Sequence, residues 1–511
     1  MATHSHMLRV HNVDYEAAKM NLVAWAREKN IGAVGVGSPW EPVSAHHYGH
    51  YERAERDQYF GGLVPPESVM DREAIGALID DLNACAGGRT LFYLDNETPK
   101  NRHGHLWYVG FEYQVPGWHD YSQDHRVQFW DGDPCEDPNA VTGGCHRRRS
   151  YAEVVACQRK AGALAIWAHP TSWWTHQEAF VTNIAAELIL QLHADGFLDG
   201  MVVQGYDAYH RDYQALWFDL LDRGTCVPGY AELDACYDKL PIAASGTFLN
   251  YVPEGQGVRT VTAIVDEMRA AHHYVSSGPH LVMTVDGKPM GSHVVSGSGM
   301  RHHVTLIAWP APGENGLSRV ELLGRGRKTL AHVEGFAGGT LEFEVAGDDD
   351  GGYLVARVFG EHDNPAEPRQ QAIRHCALTN PVYLDAKRTP KHLPIKTELT
   401  LVVAADSPAC GAAISILSAG GDLVEKRGVI QAGETTFAVH PCSRLKVDYV
   451  DGRVRDIPVS MANDAVRKHI NYLADGLFRK DYAGLTPGEV PVAAFRFDEM
   501  RTALAQQRLV L

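Results

Sequence analysis

Residues 16–37 read EAAKMNLVAWAREKNIGAVGVG, and the change of rhythm inside this stretch decides the fold class. Glu16–Lys29 has helical spacing, and it leads directly into Ile31–Gly37, a short apolar run that predicts a buried strand. The same rhythm recurs downstream. Arg72–Ala86 precedes TLFYLDNE (90–97), Tyr151–Ala161 precedes GALAIWAHP (162–170), Ile184–Ala194 precedes DGMVVQGY (199–206), and Tyr213–Arg223 precedes TCVPGY (225–230). Helix alternating with buried strand predicts a parallel α/β domain over residues 1–279, and the number of units favours a barrel over an open sheet. The chemistry of such barrels gathers at the C-terminal ends of the strands, where Asn96, Glu97, His169 and Gln204 fall in this reading.

Composition changes near Ser276. From His280 the chain turns to alternating strands with Gly-rich turns (LVMTVDG, HHVTLIAW, SRVELLG, TLEFEVAGDDDGG, YLVARVFG, NPVYLD), which predicts a β-sandwich over 280–388. After the linker Arg388–Lys396, residues 389–511 form a strand-rich region (ELTLVVAA, AAISILSA, TTFAVHP, RLKVDYVDG) with predicted helices at Ala465–Phe478 and Phe497–Gln507.

Of 511 residues, 47 are Lys or Arg and 63 are Asp or Glu, a formal net charge of −16. A surface that negative repels phosphate backbones, so nucleic acid is excluded as the expected partner. Ile184–Leu192, among the longest apolar stretches, falls far short of a membrane span, and Met1–Val10 lacks a positive-then-apolar signal pattern, so a soluble cytoplasmic protein is expected. Nine scattered cysteines fit a reducing compartment rather than a disulfide framework. The count that bears on function is 27 histidines.

Four motifs carry potential metal chemistry. His4-Ser5-His6, with His11 five residues on, places two imidazoles at strand spacing, i and i+2, on one side. Glu97-Thr98-Pro99 is followed by Gly104-His105; a carboxylate bridges two cations with its two oxygens, and a histidine after a glycine turn returns to the same cavity. Ala168-His169-Pro170 ends a buried strand. Asp234-Ala235-Cys236 lies about ten residues after Gly224.

In order and spacing these motifs resemble the ligand series of the PHP (polymerase and histidinol phosphatase) superfamily of metallohydrolases, within it the CehA/McbA-like branch. Two further stretches strengthen the resemblance: His273-Tyr274-Val275-Ser276-Ser277-Gly278-Pro279-His280 followed by VDGKPMG (285–291), and Thr379-Asn380-Pro381-Val382-Tyr383. The likeness covers roughly residues 1–388 and implies a distorted (β/α)7 barrel with appended β-domain. It implies one metal on His4, His6, Glu97 and Asp234, and a second on Glu97, His105 and His169. Two positions depart from the family. The Thr-Asp-His expected after Ile31–Gly37 is replaced by Ser38-Pro39-Trp40, and the last histidine by Cys236. Both lost residues belong to the superfamily's third metal, for which His11 and Cys236 remain, with His46, His47 and His50 as nearby substitutes.

A binuclear centre of Zn, Mn or Fe is therefore expected, activating water against an amide, carbamate, ester or phosphoester of a small molecule. Glu97 and Asp234 are the expected catalytic carboxylates. Trp40, Trp107, Trp118, Trp130, Trp173, Trp174 and Tyr206 are placed near the mouth, where aromatic faces suit an aryl group or a sugar ring. Arg147-Arg148-Arg149 reads as a solvated helix start, with contact to an anionic substrate as the alternative. Two alternatives compete: a metal-dependent glycoside-cleaving or lyase enzyme, and a non-catalytic binding protein on a degenerate PHP barrel, with homo-oligomer contacts through the β-domains.

Overall fold

The computed structural model describes residues 1–2, 5–6, 15–37, 72–97, 106–111, 162–168, 198–205, 210–233, 235–236, 248–252, 260–364, 373–389, 396–418, 422–440, 443–459 and 506–511. The predicted helices at 151–161, 184–194 and 465–478 lie outside these residues.

The first unit is built on eight strands: β1 (Ser5–His6), β2 (Ala33–Gly37), β3 (Leu91–Glu97), β4 (Leu106–Phe111), β5 (Leu164–Trp167), β6 (Gly200–Gln204), β7 (Gly229–Ala231) and β8 (Ala235–Cys236). They form one ladder in the order β7-β6-β5-β4-β3-β2-β1-β8. Helices α1 (Tyr15–Glu28) and α2 (Arg72–Ala86) cover one face of it. Leu22, Trp25 and Ala26 of α1 and Leu78, Ile79 and Leu82 of α2 pack with Val34, Val36 and Phe92. This is the helical spacing read from the sequence, now facing alternate residues of β2 and Phe92 of β3. Helix α1 stops because Asn30 takes a left-handed φ of 52°, which lets Ile31 N bond back to Ala26 O at 2.8 Å. Tyr93, Trp107, Val109, Ile166 and Val202 fill the other face, with Ile264, Val265 and Met268 of a further helix, Val261–Arg269.

The ladder departs from a regular (β/α)7 series. Strand β4 runs antiparallel to both β3 and β5. Only eight residues separate β3 from β4, too few for a crossover helix, so the chain returns as a hairpin. Helix α3 (His210–Asp222) and α4 (Val261–Arg269) complete the four helices among the described residues. Among the described residues the ladder is open in its hydrogen bonding, yet its edge strands β7 and β8 are separated by three residues, 232–234. Ala231 and Ala235 are thus within about 15 Å, whereas a flat eight-stranded sheet would hold its edges roughly 34 Å apart. The sheet must curl.

The gap is bridged by β9 (Leu249–Tyr251). The Asn250 side chain accepts from Ala231 N and donates to Ala231 O, both at 2.8 Å. Its backbone exchanges bonds with Met1, N to Met1 O at 3.0 Å and O from the Met1 amino group at 2.8 Å. Strand β9 pairs with β10 (Tyr274–Ser276), and through it the first unit joins the β-sandwich.

One layer of the sandwich contains β11 (His280–Val285), β12 (Lys288–Pro289), β14 (Arg301–Trp309) and β17 (Gly339–Ala346). The other contains β9, β10, β13 (His293–Val295), β15 (Leu317–Gly324), β16 (Lys328–Phe336), β18 (Gly352–Asn364), β19 (Ile373–Thr379) and β20 (Val382–Asp385). Alternate residues Leu281, Met283, Val285, Val304 and Leu306 meet Val320, Leu322, Leu354, Ala356 and Val358 between the layers, as the two-residue period predicted. The sandwich sheet thus draws in 249–251 and 274–276, upstream of residue 280.

A second two-layered β unit follows. One layer holds β21 (Thr397–Val403), β24 (Gly433–Val439) and β27 (Gln506–Val510). The other holds β22 (Ala413–Leu417), β23 (Leu423–Val429), β25 (Arg444–Asp448) and β26 (Val454–Pro458). Leu399, Leu401, Ile414, Ile416, Leu445 and Leu509 lie between them. Here one expectation is corrected: the predicted helix 497–507 cannot continue through Gln506 and Gln507, which pair in parallel with Glu398 and Leu399. Burial of Leu509 in the core outweighs their helical propensity. The expected β-rich C-terminal half is observed. No helix among the described residues is long and apolar enough to cross a membrane.

Candidate functional site

Parallel pairing brings the C-terminal ends of β1, β2, β3, β5, β6, β7 and β8 to one edge of the curled sheet. Antiparallel β4 begins there. The register fixes neighbours along that edge: Cys236 beside His6, His6 beside Gly37, Gly37 beside Asp95, Glu97 beside Trp107, and Leu106 beside Trp167. Ser5 pairs with Ala235 and His6 with Cys236, so the last two residues of each motif run side by side.

The individual ligand candidates divide accordingly. His6, Glu97 and Cys236 are placed by backbone on β1, β3 and β8. His4, His11, His105, His169 and Asp234 lie outside the described residues, as do His46, His47, His50 and Arg147–Arg149. His105 and His169 adjoin, in sequence, the paired residues Leu106 and Trp167. Among the described residues no three His, Cys, Asp or Glu side chains form a metal-holding group. The fit to a metal centre therefore rests on donor chemistry: the register places the backbones of His6, Cys236 and Glu97 at strand ends on one edge, and imidazole, thiolate and carboxylate are donor types a divalent transition metal accepts.

Three buried polar residues at this edge, Asp95, Gln204 and Glu232, were not among the predicted ligands. Asp95 is fully buried; its Oδ2 accepts from Trp107 Nε1 at 3.1 Å and its Oδ1 from Gly110 N at 3.3 Å. A Cβ on Gly35 would fall 1.8 Å from Asp95 Oδ2, so this close approach requires glycine there. Trp107 is correspondingly a core residue, 1% exposed, and not a mouth aromatic. The other expected mouth aromatics lie outside the described residues. Glu232 is buried beside Gln204, donating its backbone N to Gln204 O at 3.0 Å. Gln204 Nε2 donates to Cys376 O at 3.2 Å and touches Cys376 Sγ at 2.8 Å. Turning the amide over would set oxygen against oxygen. Burial pushes the Cys376 thiol up to about 11, so it stays protonated and is no nucleophile at neutral pH. The sequence reading left Asp95 unnamed; the Asp-x-Glu spacing of LDNE is the signal that could have found it. Glu232 and Cys376 carried no sequence signal.

The His273 and Asn380 motifs sit elsewhere, along the free edge of β7. Asn380 Oδ1 accepts from Gly229 N at 2.7 Å, and its Nδ2 donates to Gly229 O at 3.1 Å and His273 O at 2.9 Å. His273 Nε2 lies 2.9 Å from Gly229 O and serves as a second donor to it. With Asn250 on Ala231, two side-chain amides thus imitate a neighbouring strand and satisfy an edge that would otherwise be unpaired. These motifs join the sandwich to the first unit.

No family model matches the chain, and no curated protein matches it. Among solved structures, BcpA, the major pilin subunit of Bacillus cereus, is 10% identical over 37% of this chain and 69% of its own, with a TM-score of 0.14. The human OSCAR ligand-binding domain is 11% identical over 35% of this chain and 96% of its own, at 0.13. A calcium-binding mutant of Bacteroides uniformis beta-glucuronidase 2 is 10% identical over 88% of this chain and 56% of its own, at 0.18. Likeness at that level carries no argument about fold or function.

Proposed function

We propose that the protein is a metal-dependent hydrolase of the PHP type, CehA/McbA-like, whose curled eight-stranded sheet serves as the barrel and whose binuclear centre occupies the strand-end edge. The observation that carries this reading is the register: His6, Cys236 and Glu97 fall at strand ends on one edge, and the chain leaves that same edge toward His105 and His169. In this reading one ion would be held by Glu97 with His4, His6 and Asp234, and a second by Glu97 with His105 and His169. Divalent ions in such a set acidify water and polarise a carbonyl or phosphoryl oxygen. Asp234 would serve as the proton acceptor for the attacking water. The packed floor of Trp107, Ile166, Val202 and Tyr230 lowers the local dielectric and strengthens each charge interaction above it. The substrate is a small-molecule amide, carbamate or ester, phosphoesters included.

Elemental analysis tests this reading first. Untagged protein prepared under metal-replete conditions is expected to hold close to two transition-metal ions per chain, and fewer than about half an ion overturns it. A second expectation separates Asp234 from Cys236. Asp234→Asn should lower turnover by orders of magnitude, because it removes both a ligand charge and a proton acceptor. Cys236→Ser should keep both ions and activity within about tenfold, roughly 1.4 kcal/mol in barrier. The reverse pattern would make the Cys236 thiolate the ligand, in keeping with its register position beside His6.

A further inference from the structure

His302 and His303 lie near the start of β14, and the two-residue period sends them to opposite faces. His303 is exposed, whereas His302 shares the inward face with Val304 and Leu306 and is fully buried. An imidazole in such a place costs least when both ring nitrogens find partners. Nδ1 lies 2.8 Å from Oδ2 of Asp286, in the turn between β11 and β12, and Nε2 lies 3.0 Å from Oγ of Ser296, which directly follows β13. Asp286 Oδ1 accepts from His303 N at 2.8 Å, which fixes the carboxylate plane. Ser296 N donates to Asp385 O at 2.8 Å and ties the serine to β20.

The chemistry of the three groups orders them. An ionised carboxylate only accepts, so the proton sits on Nδ1, and the neutral imidazole offers its Nε2 lone pair to the Ser296 hydroxyl. Partial burial opposes ionisation of Asp286, yet the hydrogen bonds from His302 and His303 N outweigh it and hold the carboxyl below its usual range. Serine, base and orienting carboxylate thus stand in the relation that activates a serine oxygen, in the β-sandwich and not at the strand-end edge of the first unit. Gly347 keeps one flank of the pair clear, since a Cβ there would fall 2.9 Å from Ser296 Oγ and 3.2 Å from His302 Nε2. Gly297, next after the serine, occupies the chain position from which the α/β-hydrolases donate a backbone N–H to the oxyanion.

We propose that Ser296, His302 and Asp286 form a second reactive centre, in which Ser296 is a nucleophile toward short-chain acyl esters. Ser296 is 7% exposed, so only a small acyl group reaches it. Ser296 Oγ bonds to the acyl carbon as its proton passes to His302 Nε2, and the ester C–O bond breaks as the alcohol leaves with that proton. Water then gives a proton to the same nitrogen and attacks the acyl carbon; the acid departs, and the proton returns to Ser296. Asp286 is the positioning residue that holds the imidazole in the required tautomer.

The test uses the full chain in chelator, so that no metal-held water contributes. It is treated with a small dialkyl fluorophosphate, the modified residue is located by peptide mass spectrometry, and release of p-nitrophenol from its acetate ester is followed in parallel. The adduct is expected on Ser296 and not on its exposed neighbour Ser298, and Ser296→Ala should remove both the adduct and the catalysed release. Asp286→Asn tolerates the left-handed φ of 51° at that turn and keeps an acceptor for His303 N. It should slow labelling and acetate release by about 100-fold or more, because the wrong tautomer is then favoured. A folded wild-type chain without an adduct on Ser296, or an Asp286→Asn rate within about twofold of wild type, overturns the proposal and leaves the cluster as a tie between three strands. If Asp286→Asn does not fold, the wild-type chain decides alone: Ser296 labelled no faster than Ser298 overturns the assignment.

Discussion

Glu97→Gln is expected to empty both metal positions and reduce hydrolysis to background, whereas His105→Ala should empty only one. The asymmetry follows from what a bridge requires. A carboxylate offers two equivalent oxygens and a full negative charge, so each can face a cation while the charge offsets their mutual repulsion. Glutamine keeps the length but presents one oxygen and one NH2 group, and carries no charge. The position suits the role: Glu97 is the last residue of β3, paired with Trp107 where the ladder turns antiparallel. Metal content per chain, with turnover of an aryl ester, a carbamate and a phosphoester, reads both effects. Equal and mild losses in the two variants would move the bridge to another carboxylate, and Asp95 on the same strand would be the first to examine.

The sequence was most legible where one period ran undisturbed. Arg72–Ala86 is a helix with the predicted bounds, and the alternation of HHVTLIAW reappears as inward Val304 and Leu306 against exposed His303 and Ile307. Legibility failed where pairing, not pattern, fixes the structure. Leu106–Phe111 reads LWYVGF, an apolar run behind a polar loop, and only its short connection to β3 makes it an antiparallel strand inside an otherwise parallel series. Strand β23 is exposed along its whole length, so no inward face exists to produce a two-residue signal. At the site, motif order suggested which residues share a function, and the ladder register adds which backbones are adjacent. The pairing of Ser5 and His6 with Ala235 and Cys236 joins residues more than two hundred positions apart; no local pattern encodes it. The roles of His273 and Asn380 were likewise invisible, because polar motifs at a strand edge look the same whether they bind a ligand or replace a missing strand.

That edge leads to the second large effect. Asn380→Ala is expected to destabilise the folded chain by roughly 3–5 kcal/mol, since it leaves Gly229 N and one donor to Gly229 O unreplaced in a fully buried place. The same cluster should set an acid limit. His273 is 0% exposed, its Nδ1 has no hydrogen-bond partner among the described residues, and burial holds its pKa down at about 3, against 6.5 for a free imidazole. The folded state keeps His273 neutral while the unfolded chain takes up a proton, so this contribution is fully present above pH 6.5 and is lost as pH falls from 6.5 toward 3. Full loss amounts to roughly 3–5 kcal/mol. Denaturant unfolding of chelator-treated protein between pH 7.5 and 4 should therefore show stability falling with acid. In His273→Phe, starting lower because the bond to Gly229 O is gone, the slope over that range should be shallower by about one proton. An unchanged slope in this variant would place the acid sensitivity in other histidines and leave His273 as a packing residue alone.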